Sequence, residues 1–194
     1  MGSMQKTATL RRPLNWIIAP SRESLPLWAS VALGVALLTA LSKIALPIPG
    51  SPVPVTGQTF GIALIALLWG RKRAMTTVAS YLLLGFSGAP VFAGPVLPFT
   101  LGPTSGYLVG MFFSSAWVGW LSDRGWSRSL WRALIAAETG SLIIFAFGLG
   151  VLSTFVPSEH LLAAGWIPFI PGDVLKTTLA AWVASRRGQQ REQS

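Results

Sequence analysis

The residues best suited to chemistry lie in one short stretch, Pro168-Phe169-Ile170-Pro171-Gly172-Asp173-Val174-Leu175-Lys176, inside an otherwise apolar run. Proline and glycine open a helix there, so Asp173 falls near a new amino terminus, where unpaired amides and the helix dipole favour an anion. Lys176 is three residues on and shares its helical face. Such a pair recognises rather than reacts: the carboxylate accepts hydrogen bonds and the ammonium donates them. A ligand carrying both N–H donors and a carboxylate suits the pair better than it suits either residue alone. The structural alternative is a capping aspartate with an intrahelical ion pair. Ionisable groups deep in apolar segments are rare and usually mark a function.

Two further clusters supply polar groups. Gly102-Pro103-Thr104-Ser105-Gly106-Tyr107 starts another apolar run, and Thr104 either caps that helix or leaves its amides to receive a ligand. Pro52-Val53-Pro54-Val55-Thr56-Gly57-Gln58-Thr59-Phe60 is a stiff extended arm leading into a helix, in which Gln58 either satisfies loop backbone or touches a ligand. Ala32, Ala36 and Ala40 recur every fourth residue, a stripe that lets a second helix come close, in this chain or in a partner. Glu138 reads as structural or interfacial, with snorkelling or pairing to Arg132 or Lys43 as its options; a proton relay would need more ionisable groups than the chain offers. His160 is expected to be solvated.

Several function classes are excluded at this level. Cysteine is absent, which removes disulfides, thiolate nucleophiles and thiolate metal sites, and a single histidine does not build a metal site. The six acidic residues, at 23, 123, 138, 159, 173 and 192, are too scattered for a catalytic constellation. No GxxxxGK[ST] phosphate loop is present, so the chain does not itself use ATP. The net charge of +9 suggests nucleic acid until the basic residues are located. Thirteen of the fifteen lie in clusters between apolar runs (Lys6 to Arg22, Arg71 to Arg73, Arg124 to Arg132, Arg186 to Arg191), as in a membrane protein obeying the positive-inside rule.

The elements that must carry these residues follow from hydropathy. With 52% hydrophobic and 11% charged residues over 194 positions, most of the chain is expected to meet lipid. A helix crossing about 30 Å of hydrocarbon needs about 20 apolar residues. Six runs qualify: 27–46, 59–70, 74–86, 105–121, 130–155 and 161–185, the second and third short and turned by Arg71-Lys72-Arg73, the last interrupted by Pro168 and Pro171. The expected fold class is an all-α integral membrane protein of six transmembrane helices. Six crossings put both termini on the side that holds all thirteen clustered basics, the cytoplasmic side. Residues 1–26 then form a cytoplasmic amino-terminal segment, 27–185 one membrane domain and 186–194 a basic tail. Met1-Gly2-Ser3 reads as an expression remnant, and no removable signal peptide is expected. The opposite side receives Pro/Gly-rich loops without Lys or Arg, among them Pro90 to Pro103, suited to roofing a pocket.

At these motifs the sequence resembles the BioY family, the biotin-binding membrane subunits (S components) of energy-coupling-factor (ECF) transporters. Pro52 to Gly61 is similar to the family's first outer segment, Gly102 to Gly110 to its glycine-proline-threonine stretch, and Pro168 to Lys176 to its proline-glycine-aspartate-lysine signature. The resemblance covers about residues 27 to 185. It implies a six-helix fold in the plasma membrane holding biotin near the outer face, with Asp173 and Lys176 among its contacts and Thr104, Tyr107, Gln58 and Phe60 as further candidates. Biotin would be transported cargo, and no cofactor is implied. It also implies that Ala32, Ala36 and Ala40 face a transmembrane coupling protein, with separate ATPases supplying energy. An S component for another vitamin, or a biotin transporter acting alone, are the alternatives.

Overall fold

A computed structural model describes residues 25–94 and 102–192. The amino-terminal segment up to residue 24, the middle of the expected roofing loop (95–101) and residues 193–194 lie outside the described residues.

The first helix, α1 (Leu27–Lys43), begins after Pro26 and buries Ser30, Gly34, Leu38 and Ser42, one residue per turn. It stops three residues short of the expected end at Leu46. Proline at 47 forces the residue before it into extended backbone, and Ala45–Leu46 (β1) pairs antiparallel with Val55–Thr56 (β2), Ala45 opposite Thr56. Ala32, Ala36 and Ala40 lie two residues, or about 200°, away from the buried stripe. All three are exposed, so the described residues leave this stripe uncovered.

The second helix, α2 (Gln58–Phe86), is broken at Gly70, whose φ of 74° and ψ of −177° fall in a region essentially restricted to glycine. A straight helix would separate Gln58 from Tyr81 by about 34 Å. Instead, Gln58 Nε2 donates to the Tyr81 hydroxyl at 2.8 Å, so the helix folds back on itself into two arms, 58–69 and 71–86. The reversal falls at Gly70 and not over Arg71 to Arg73, which form the first turn of the second arm. Two side chains from α3 (Ser105–Asp123) satisfy the backbone groups freed at the break. Ser122 Oγ donates to the Leu67 carbonyl at 2.6 Å, and the Arg71 amide donates to Asp123 Oδ2 at 3.1 Å. Gly119 permits this approach, because a Cβ there would stand 2.5 Å from the Arg71 Cα.

α3 packs on α2 and on α4 (Leu130–Leu152), and α4 packs on α6 (Ile170–Glu192), which returns to α2 and closes a ring with α1 outside it. Between α4 and α6 the expected sixth run divides into a short α5 (Leu161–Gly165), a 3-10 turn at Ile167–Phe169 and then α6, with Pro171 tolerated in its first turn. α3 and α4 are drawn together by glycine: a Cβ on Gly106 would meet the Phe147 carbonyl at 2.3 Å, and one on Gly110 the Ile144 Cα at 2.8 Å.

Polarity is distributed inside out. Ser42, Gln58, Ser115, Ser122, Ser141, Asp173 and Thr177 are buried, while Trp28, Leu83, Trp131 and Leu175 are 75%, 72%, 71% and 70% exposed. A water-facing surface would reverse that order. Among the described residues one helix, Leu130–Leu152, is long and apolar enough by itself to cross a bilayer, with a mean hydropathy of 1.9.

Candidate functional site

A cavity of about 420 Å³ opens at the end of the ring that holds the Pro/Gly-rich segments. That volume lies within the usual range for small-molecule sites. Four elements converge on it: the start of α2, the start of α3, the later half of α4 and the start of α6. Both described flanks of the 90–103 loop, Phe92 to Gly94 and Gly102 to Pro103, reach its edge. Ser42 Oγ and the Tyr81 hydroxyl donate to the Val91 carbonyl at 2.7 and 2.9 Å, and Lys43 Nζ donates to the Phe92 carbonyl at 2.6 Å, which pins one flank. One side of the cavity is aromatic. Tyr107 stacks on Phe169 at 6.5 Å between centroids and meets Phe145 edge-on at 6.3 Å.

Among the described lining residues, Asp173 and Lys176 are the two that carry charge. Asp173 sits in the first turn of α6 and is 5% exposed. Its Oδ2 accepts a hydrogen bond from Ser141 Oγ on α4, and its Oδ1 is buried with no hydrogen-bond partner among the described residues. Lys176 is half-buried, and its Nζ donates to the Thr56 carbonyl at 3.0 Å. The structural alternative for this pair, a capping aspartate joined to its own lysine, is therefore not what is built: each side chain reaches off its own helix. An unsatisfied buried acceptor costs about 1–3 kcal/mol, and more when charged, so Oδ1 is an acceptor in want of a donor.

The remaining expected residues divide. Thr104 lines the cavity and occupies the capping position of α3, but its hydroxyl caps nothing; the local bond runs from the Gly102 amide to Ser105 Oγ at 2.7 Å. Tyr107 contributes its ring to the wall, while its hydroxyl donates to the Gly165 carbonyl at 2.8 Å. Gln58 also lines the cavity, with its amide engaged at both ends: Oε1 accepts from Thr56 Oγ1 at 2.8 Å and Nε2 binds Tyr81. Phe60 is not brought to the cavity. It lies a helical step of 100° beyond the lining residue Thr59 and packs against the hydrophobic core.

Phe145 of the aromatic wall escaped the sequence reading, and so did two hydroxyl residues. Thr59 lines the cavity with a buried hydroxyl that has no partner among the described residues, and Ser141 bonds to Asp173 from outside the lining. Thr59 stands inside the quoted proline-rich motif, and that was its one signal. Ser141 has none, because its role exists only once α4 meets α6. Glu138 pairs with neither Arg132 nor Lys43; its Oε1 accepts from Thr177 Oγ1 at 2.6 Å.

The inside-out helical ring, with a cavity that joins an aromatic wall to one acid and one base, is the architecture of a membrane-type protein with a small-molecule pocket. The chain belongs to the BioY family, whose model matches residues 12–192. It is 36% identical to the biotin transporter BioY of Thermotoga maritima over 77% of this chain and 90% of that one. It is 35% identical to a probable biotin transporter BioY of Pyrococcus horikoshii over 80% and 92% of the two chains. Its fold is similar to the crystal structure of the S component for biotin from an ECF-type ABC transporter, with a TM-score of 0.76 and 27% identity over 84% of this chain and 90% of that one.

Proposed function

We propose that the chain captures biotin in this cavity and delivers it inward, as the substrate-binding S component of an ECF transporter. The observation that carries the reading is the buried, partnerless Oδ1 of Asp173 beside Lys176 and an aromatic wall. Biotin answers each part. Its fused rings fill an apolar slot against Tyr107, Phe145 and Phe169. Its ureido group brings N–H donors for Asp173 Oδ1, and its carbonyl or carboxylate takes the hydrogens of Lys176 not spent on Thr56. The Thr59 and Thr104 hydroxyls complete the polar set, and Gln58 holds the wall through Tyr81.

The membrane arrangement that fits is six crossings, by 27–43, 58–69, 71–86, 105–123, 130–152 and 170–192, within one domain of the plasma membrane. Both termini, the amino-terminal segment and the basic tail are then cytoplasmic, together with the thirteen clustered basics, and the cavity faces outward. Arms shorter than about 20 residues are accommodated by local thinning of the bilayer and by shielding within the ring. The exposed stripe of Ala32, Ala36 and Ala40 suits close packing on a transmembrane coupling protein, and ATPase subunits supply the energy that the chain does not.

Calorimetric titration of the purified protein against a panel of vitamins tests this. Saturable binding of biotin alone is expected, weakened in Asp173→Asn and separately in Lys176→Ala, with both variants still folded. Binding of a different vitamin, or unchanged biotin affinity in both variants, would contradict the assignment.

A further inference from the structure

Several hydroxyl groups of this protein bond within their own helix, and others cross to a neighbouring segment. Ser30, Ser115, Thr139 and Ser185 each place their hydroxyl on a carbonyl three or four residues back in their own helix. Ser141 instead crosses from α4 to Asp173 Oδ2 on α6. One turn away the arrangement recurs with the roles exchanged: Thr177 on α6 donates to Glu138 Oε1 on α4. Positions 138 and 141 share a face of α4, as 173 and 177 share a face of α6. The pairing of 141 with 173 and of 138 with 177 shows that the two helices run antiparallel and fixes their relative register.

We propose that Ser141 is a positioning residue for ligand recognition, holding the Asp173 carboxylate so that Oδ1 faces the cavity, and that the Glu138–Thr177 bond locks the helix register in which it does so. This rests on the biotin reading above. A serine hydroxyl has one hydrogen, and Ser141 spends it on Oδ2. That bond removes the rotation by which Asp173 would otherwise satisfy Oδ1 on a neighbour, and so keeps a desolvated acceptor open for a ligand N–H. Ser141 does not line the cavity and acts through Asp173 alone, whereas Glu138 acts one step further back, on the spacing of the helices.

A double-mutant cycle tests the proposal on the detergent-purified full chain, with biotin as titrant and thermal unfolding as a check on folding. Ser141→Ala is expected to weaken biotin about tenfold, as for a lost hydrogen bond to a charged group. On an Asp173→Asn background the same change is expected to cost less than about twofold, because there is no longer a carboxylate to orient. Ser141→Thr, which keeps the hydroxyl, restores most of the affinity, and Glu138→Ala weakens binding about threefold, less than Ser141→Ala. An equal loss in both backgrounds would mean that Ser141 only packs the bundle and would overturn the proposal, as would wild-type affinity in Ser141→Ala. Failure of the wild type to bind biotin would instead remove the underlying reading.

Discussion

The two ends of the α2 hairpin treat polar groups in opposite ways. At the Gly70 end the chain reverses inside the protein and frees backbone donors and acceptors, and α3 answers them: Ser122 takes the Leu67 carbonyl and Asp123 takes the Arg71 amide. At the other end, where Gln58 and Tyr81 meet, the protein encloses a cavity and leaves Asp173 Oδ1 and Thr59 Oγ1 without partners. Both regions place short polar side chains within an apolar ring, although the Gly70 end is basic and the cavity end is rich in proline and glycine. Saturation separates them in part: the groups freed at the Gly70 end are paired within the fold, whereas Asp173 Oδ1 and Thr59 Oγ1 at the cavity are not, and Thr77 Oγ1, buried outside the cavity lining, is a further unpaired hydroxyl among the described residues.

The largest break in that comparison comes from the cavity end. Asp173→Asn is expected to weaken biotin binding by tens of fold by calorimetry, with little change in thermal unfolding, because a charged acceptor is lost at a site the fold does not satisfy. Lys176→Ala follows at about tenfold on the same measurement. At the hairpin end the signature inverts. Gly70→Ala forces an L side chain into glycine-only backbone and is expected to cost about 2 kcal/mol of stability in detergent, with the affinity of the folded fraction unchanged. Ser122→Ala, leaving the Leu67 carbonyl unpaired, lowers stability by about 1 kcal/mol in the same assay. Thr59→Val is the smallest, a loss of about threefold in affinity with unfolding unmoved. Should Thr59→Val instead destabilise the protein and spare binding, the distinction between saturated and open groups would fail at that position.

The sequence made the larger features legible because they rest on local chemistry. Apolar run length gave four helices and both arms of a fifth element, proline and glycine at 168–172 gave the start of α6, and the spacing of Asp173 and Lys176 gave their shared face. Family membership was legible through three motifs, each weak alone. What depended on contact between distant segments was not. The basic triplet drew the expected turn to 71–73, although Gly70 carries it, because charge marks a membrane boundary while backbone conformation marks the bend. The first helix ends early because residues 45–46 pair with 55–56 across a proline loop. Phe60 was expected at the ligand from its neighbours in the motif, but helical rotation sends it to the core. Ser141 and the Glu138–Thr177 bond required the antiparallel register of α4 and α6, which no local pattern encodes.

The proposed capture of biotin rests on an acid left unpaired inside the protein. Its most direct test is mass spectrometry of the small molecules released on denaturing protein purified in mild detergent from cells grown with biotin. Near-stoichiometric biotin from the wild type, falling to background in a folded Asp173→Asn variant, is the predicted result. A wild type that carries no biotin, or an Asp173→Asn protein that retains it in full, would contradict the claim.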